Sequence, residues 1–342
     1  MMNGSIPNEM VFSMKARRVE ITYRSVLAPY IDGLLRMKEA AGYNMRAARH
    51  VFKELDNYVL SIGIKSPDLT EDIITGWASS RINDRDNTLY AKFALINQLS
   101  RYIIHNGGNA YVPRLPRYPQ SDFTPYIFSE KEISDIFSAA DNLAAKAHYE
   151  GIMVIPAILR LLYSTGMRIS EALSLTNSDV DIAGGVLAVR NTKNRTDRKI
   201  PMSGSLSDVL AQYRKYRNLM PLAGLSMPDR LFFIRPNGLD ISPQCIYSRF
   251  RKIYTSCGIK FIGDQRGPRL HDLRHTFAVH SLAAMSRAGI DLYTAMPVLS
   301  VYLGHKSIWM TEKYIRLTAA MYPDIEASCK VDNGLIYPII IE

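Results

Sequence analysis

Three stretches of the 342-residue chain concentrate side chains able to engage a phosphate: STGMRISEALSL around Arg168, HDLRHTFAVH from His271 to His280, and LGHKSIWMTEKY from Leu303 to Tyr314. In the first, Gly166 permits a sharp turn and Arg168 falls at or near a helix N-terminus, where guanidinium and free backbone N–H groups can face one anion. In the second, His271 and Arg274 stand three apart on a helix and project from one face, a titratable donor beside a permanent cation. His275 lies four after His271, a metal-like interval, but the Glu of an HExxH motif and a third nearby ligand are lacking. His275 and His280 therefore read as structural. In the third, Gly304 precedes His305 and Tyr314 follows nine residues after that His, so a turn and a short helix can bring imidazole and phenol to one centre. The chemistry such a set could do is phosphodiester transesterification. A phosphodiester repels nucleophiles and has a poor alkoxide leaving group, so attack on it requires charge neutralisation, a nucleophile and an acid. Arg168 and Arg274 would supply permanent charge without a metal, and Tyr314 the attacking oxygen.

The spacing of apolar residues from Glu20 to about Gly108 predicts four helices, Tyr23 to Ala40, Arg46 to Ile62, Leu69 to Ser80 and Asn87 to Ile104, with Gly, Pro and Asn at their stops. The expected divisions are an N-terminal extension (1–19), a helical bundle (20–111), a linker (112–125), a second domain (126–330) and a tail (331–342). Repeated prolines in VPRLPRYPQSDFTP forbid a helix and mark the linker. Ser129-Glu130-Lys131-Glu132 has the S-x-x-E form of a capping box, so the second domain's first helix should begin there. An apolar helix over about Ile152 to Tyr163 should form its centre, and Val186 to Met202, with apolar ends around a basic middle, reads as a hairpin. Further helices are expected over Leu206 to Arg217, Pro243 to Tyr254, His271 to Arg287 and Tyr293 to Tyr302, with a short strand over Leu231 to Ile234. The fold class this predicts is mainly α with a small β-sheet (α+β) in the second domain, behind an all-α bundle.

A content of 47% hydrophobic and 22% charged residues is that of a globular protein and excludes a disordered tail, a collagen-like fibre or a disulfide knot. No segment approaches about eighteen uninterrupted apolar residues, and the start lacks a signal-peptide core, so no membrane association and a cytoplasmic location are expected. Cys245, Cys257 and Cys329 lack CxxC spacing and indicate neither a disulfide framework nor a zinc cluster. With 42 Lys+Arg against 32 Asp+Glu, a net charge of +10 and a pI near 9.4, the chain favours a polyanionic partner. Among Lys15, Arg17, Arg18, Arg46, Arg49, Lys65, Arg81, Arg85 and Arg101 of the first domain, most should be solvated and a minority should touch phosphate.

On these motifs the chain resembles the tyrosine recombinases of the phage integrase family. The family order is an Arg after a Gly-containing turn, a Lys in a hairpin, H-x-x-R on a helix, and L-G-H with a Tyr nine beyond the His. Arg168, Lys193, His271, Arg274, His305 and Tyr314 occur here in that order. Glu171, three after Arg168, matches the family's acidic supporting position, and Lys193 stands eight before Pro201 as in related hairpins. The match spans about Ser129 to Leu317, and the bundle resembles the family's core-binding domain more loosely. Between HDLRHTFAVH and LGH the chain is longer than in compact members, a feature similar to recombinases of transposon-like elements. The resemblance implies a site-specific DNA recombinase that cuts and rejoins strands through a 3′-phosphotyrosyl link, integrating or excising a mobile element without a cofactor. It implies Lys193 as the acid for the leaving 5′-oxygen, His271 as base towards Tyr314 and His305 as a transition-state donor. The partners implied are double-stranded recombination sites clamped by both domains, other copies of the chain up to a synaptic tetramer, and an accessory DNA-bending protein. The β-prone tail, 331–342, would dock on a neighbouring copy. Two other readings are a type IB topoisomerase-like relaxing enzyme, disfavoured by motif order, and a non-catalytic DNA-binding regulator. The latter would have lost Tyr314, Lys193 or an arginine, and none is lost.

Overall fold

The computed structural model of the chain describes residues 21–118, 123–146, 153–190, 197–263 and 267–322. They divide between Asp122 and Phe123 into two units. In the first unit α1 (Ala28–Ala40), α2 (Arg46–Ser61), α3 (Glu71–Ser79) and α4 (Asp86–His105) turn their apolar stripes inward, burying Leu27, Ile31, Phe52, Leu55, Trp77 and Leu99 together. Helix α1 begins later than Tyr23 because Pro29 sits in its first turn; deeper in a helix its ring would clash with the carbonyl four residues back. Buried Asp56 accepts hydrogen bonds from the Ser25 N–H and from Lys53 Nζ, both at 2.8 Å, and so pins the segment ahead of α1 to α2.

The second unit opens on the capping box, with the Glu132 N–H donating to Ser129 Oγ at 3.2 Å and the Ser129 N–H to Glu132 Oε2 at 2.8 Å. Helix α5 (Glu130–Lys146) follows, and then α6 (Val154–Thr165), apolar nearly all round and therefore central, burying Val154, Ile155, Ile158, Leu159, Leu161 and Leu162. After α7 (Ile169–Ser174) come β1 (Val180–Asp181), β2 (Val186–Val189) and β3 (Arg198–Pro201), an antiparallel sheet in the order β1-β2-β3. The β2–β3 register pairs Leu187 with Ile200 and Val189 with Arg198, putting Leu187, Val189 and Ile200 on the core side. The two-residue β1 is too short to show any alternation in the sequence.

The expected strand at Leu231 to Ile234 does not form. The Phe232 N–H goes to the Leu175 carbonyl and the Ile234 N–H to the Tyr213 hydroxyl, so no single neighbour runs alongside and only isolated bridges remain. Helices α8 (Gly204–Asn218), α9 (Pro243–Ser256) and α11 (Leu292–Leu303) are capped by Ser203, Ser242 and Asp291. Helices α10 (Asp272–Arg287) and α12 (Trp309–Met321) join α11 around Val279, Leu282, Leu299, Leu303 and Tyr314. The long interval before LGH is the end of α10 plus α11. Among the described residues no helix is long and apolar enough to cross a membrane. Lys193, the extension 1–19 and the tail 331–342 lie outside the described residues.

Helix α6 ends on Gly166 at φ +60°, where an added Cβ would stand 2.5 Å from Phe277 Cδ1 and 2.7 Å from Leu303 Cδ2. Gly185 has a similar φ of +63° but its nearest neighbour would be 3.7 Å away. Gly166→Ala should therefore cost about 3 kcal/mol, left-handed strain plus overpacking, against about 1 kcal/mol for Gly185→Ala. Urea denaturation of the two variants measures the difference.

Candidate active site

Arg274, on the first turn of α10, is 3% exposed, and its fork is held by backbone. Its Nη1 donates to the Gly166 carbonyl at 2.7 Å and its Nη2 to the Leu303 carbonyl at 2.8 Å. These are the C-terminal ends of α6 and α11, where carbonyls without helical partners carry partial negative charge. Burial, then the nearby charge of Arg168, pulls the Arg274 pKa down to about 10, which leaves it cationic at neutral pH.

Arg168 occupies the N-cap of α7, its N–H donating to Glu171 Oε2 at 3.1 Å and its Nη1 to Glu171 Oε1 at 2.9 Å. From β3, Arg198 donates through Nη2 to Glu171 Oε2 at 2.9 Å and through Nε to the Tyr302 carbonyl at 2.9 Å. Burial pushes the Glu171 carboxyl up, but the hydrogen bonds and charges of Arg198 and Arg168 outweigh it and hold the pKa below the usual range.

Tyr314, on α12, is 1% exposed, with its hydroxyl 2.8 Å from Nδ1 of His275. Its ring stacks on His305 at 6.2 Å between centroids and 13° between planes, and Lys313 Nζ stands 5.1 Å from the ring centroid. Burial raises the phenol to about 12, while the charge and hydrogen bond of Arg274 pull the other way. His305 places Nδ1 2.8 Å from Thr311 Oγ1, and burial, then Arg274 and Arg168, brings its pKa down to about 3. His271, at the N-cap of α10, keeps a solvent-exposed face and meets the His275 ring edge-on at 5.0 Å. Dense surrounding protein, then Arg274 and Arg269, lowers its pKa as well.

The structure thus gathers Arg168, Glu171, His271, Arg274, His305 and Tyr314 in one place; Lys193 lies outside the described residues. Sequence reasoning missed four further side chains here: His275 on the Tyr314 hydroxyl, Arg198 on Glu171, Thr311 on His305 and Lys313 over Tyr314. A signal existed for His275, since it lies one helical turn from His271 and beside Arg274. His280, read in the same way, is indeed bound into the packing, with Nδ1 2.9 Å from the Tyr163 hydroxyl.

Residues 127–321 match the model of the phage integrase family. The chain belongs to the phage integrase family. An integrase/recombinase of Sinorhizobium fredii, y4rB, is 28% identical over 301 residues, spanning 86% of this chain and 92% of that one. The tyrosine recombinase XerA of Pyrococcus horikoshii is 30% identical over 227 residues, 66% of this chain and 68% of that one. Among solved structures, the integrase of transposon Tn1549 in complex with transposon right end DNA superposes with a TM-score of 0.60 at 18% identity, over 88% of this chain and 100% of that one. A lambda integrase dimer bound to a core site gives 0.59 at 17% identity, over 84% and 76%. The phage integrase fold, mainly helical with a small sheet, is the α+β class that the periodicity predicted, and the enzyme class is that of a tyrosine-type site-specific DNA recombinase.

Because Glu171 has a lowered pKa in the folded protein, its ionised form adds stability that is fully present above the unfolded carboxyl value and is lost as pH falls through the folded one. Glu171→Gln should destabilise by about 3 kcal/mol at pH 7, leaving Arg198 buried without its counter-charge. The gap to wild type should begin to close only below about pH 4. Thermal unfolding of both proteins across that range measures it.

Proposed function

We propose that the chain integrates or excises a mobile DNA element, cutting and rejoining double-stranded recombination sites through Tyr314. The observation that carries this reading is the Tyr314 hydroxyl itself, buried against neutral His275 and within the field of Arg274 and Arg168. Tyr314 attacks phosphorus, a 3′-phosphotyrosyl link forms and the 5′-oxygen departs, taking a proton from Lys193. Arg168 and Arg274 pair with the non-bridging oxygens, and His305 donates to the oxygen on which charge accumulates. The covalent link conserves the energy of the broken bond, so a 5′-OH from another strand reverses the step without ATP.

The transposon context rests on the likeness in fold to the Tn1549 integrase over 88% of this chain and on the extended α10–α11 interval. Several copies would assemble on paired sites, as a tetramer at synapsis, in line with the lambda integrase solved as a tetramer on a Holliday junction. The tail at 331–342 is a candidate link between copies, and an accessory DNA-bending protein would help to bring sites together. With a net charge of +10, binding should be driven by phosphate contacts and fall steeply with salt.

Incubation with a nicked suicide substrate should trap a covalent adduct whose linked peptide carries Tyr314, and Tyr314→Phe should trap none. An adduct at Tyr302 or Tyr322, or an undiminished one in Tyr314→Phe, would refute the assignment. The wild-type reaction should proceed in excess EDTA, since the arginines supply the charge that a metal would otherwise bring. Arg168→Lys should lose cleavage nearly as far as Arg168→Ala, both by roughly 10²–10³-fold, because an ammonium cannot form the forked contact.

A further inference from the structure

His275 has no place among the six motif residues, yet it is the side chain hydrogen-bonded to the atom that reacts. Its Nδ1 stands 2.8 Å from Tyr314 Oη, and both residues are buried. The direction of that bond is set by the tautomer of His275, and the phenol donates when the imidazole carries its proton on Nε2. Burial holds the pKa of the phenol up, so Tyr314 keeps its proton and its O–H is available as the donor in that bond. His275 is neutral, so Nδ1 can offer a lone pair. The two other imidazoles are engaged differently. His305 lies flat against the phenol ring with its Nδ1 on Thr311, and His271 meets His275 edge-on.

We infer that His275 is a catalytic residue of strand cleavage, accepting the Tyr314 proton as the phenol oxygen attacks phosphorus. The inference rests on the reading of Tyr314 as the recombinase nucleophile. In the balanced step the P–Oη bond forms, the P–O5′ bond breaks, the phenol proton passes to Nδ1 of His275, and the departing 5′-oxygen takes a proton from Lys193. Off DNA this transfer is suppressed. Burial holds the phenol near 12, and burial, followed by the charges of Lys313, Arg269 and Arg274, holds the imidazole near 2. A bound phosphodiester brings a negative charge that offsets those cations, which favours the imidazolium at the moment that a proton must be received.

His275→Asn keeps a small polar group at this position but cannot take up a proton. With DNA binding verified by mobility shift, its single-turnover adduct formation should be roughly 10²–10³-fold slower than wild type. It should stay slow on DNA whose leaving 5′-oxygen is replaced by sulfur, a leaving group that needs no acid, whereas Lys193→Ala should recover on that substrate. A second measurement does not depend on the shape of the pocket. Replacing Tyr314 by the more acidic 3,5-difluorotyrosine should restore most of the rate lost in His275→Ala, because a purely structural defect does not respond to phenol acidity. Cleavage by His275→Asn within about threefold of wild type, its recovery on the sulfur substrate, or no response to fluorination overturns the proposal. The wild type run alongside separates the two readings. If it forms no adduct at Tyr314 the recombinase mechanism falls and His275 with it, whereas a normal adduct together with an unimpaired His275→Asn removes the role of His275 alone.

Discussion

Two backbone carbonyls hold Arg274, and the rest of the site depends on that arrangement. A guanidinium at 3% exposure is costly unless its donors are met, and here the ends of α6 and α11 meet two of them at 2.7 and 2.8 Å. Carbonyl dipoles satisfy N–H groups without cancelling the unit charge, as a dedicated carboxylate would. The positive field therefore survives burial, as the pKa of about 10 requires. The same economy governs Glu171, whose single carboxylate is shared by Arg168 and Arg198 and so leaves the trio with one net positive charge. Rigid, carboxylate-poor fixation of arginines is what a site for a phosphodiester anion needs, because each donor must already be aimed before the charge on the transition state develops.

The helices that hold Arg274 also tie Tyr314, the proposed nucleophile, to the core. Helices α10, α11 and α12 pack around Val279, Leu299 and Leu303, and Tyr314 is itself a member of that cluster. An oxygen on a residue 1% exposed cannot touch phosphorus until whatever covers it is displaced. The free protein therefore keeps its phenol away from solvent. The segment from Gly304 to Thr311 joins α11 to α12 and carries His305, so movement there would shift the histidine and the tyrosine together.

The sequence was most legible where geometry is local. Arg168 and Glu171 are one helical turn apart, His271 and Arg274 likewise, and the interval from His305 to Tyr314 is a turn and the start of a helix; each fixes a relative position with no knowledge of the rest of the chain. What escaped depends on tertiary packing. Arg198 lies 27 residues from Glu171 and 104 from the Tyr302 carbonyl, and nothing in NTKNRTDRKIP separates it from its neighbours before the hairpin is folded. His275 looked structural because a buried imidazole usually satisfies a neighbouring polar group. It does so here too, but the neighbour, 39 residues on, is Tyr314, the proposed nucleophile. The bridges at Leu231 and Ile234 failed to become a strand for the same reason, since the partners that took the N–H groups, Leu175 and Tyr213, came from two different parts of the chain.

The electrostatics give the histidines a role distinct from that of the arginines. His271, His275 and His305 all have lowered pKa values, and in each burial is the first cause and neighbouring cations the next. Among the described residues the positive charge of the site therefore comes from Arg168, Arg198, Arg269, Arg274 and Lys313, while the imidazoles remain neutral and able to both donate and accept. A group that does both can relay a proton without first adding to a crowded positive field. Entry of the phosphodiester changes the balance, because its charge is opposite to the one depressing those rings, and every imidazole near it becomes more basic. Under the proposed mechanism the DNA is in this sense part of the acid–base apparatus: its charge makes the neighbouring imidazoles better able to take the proton of a phenol held near 12.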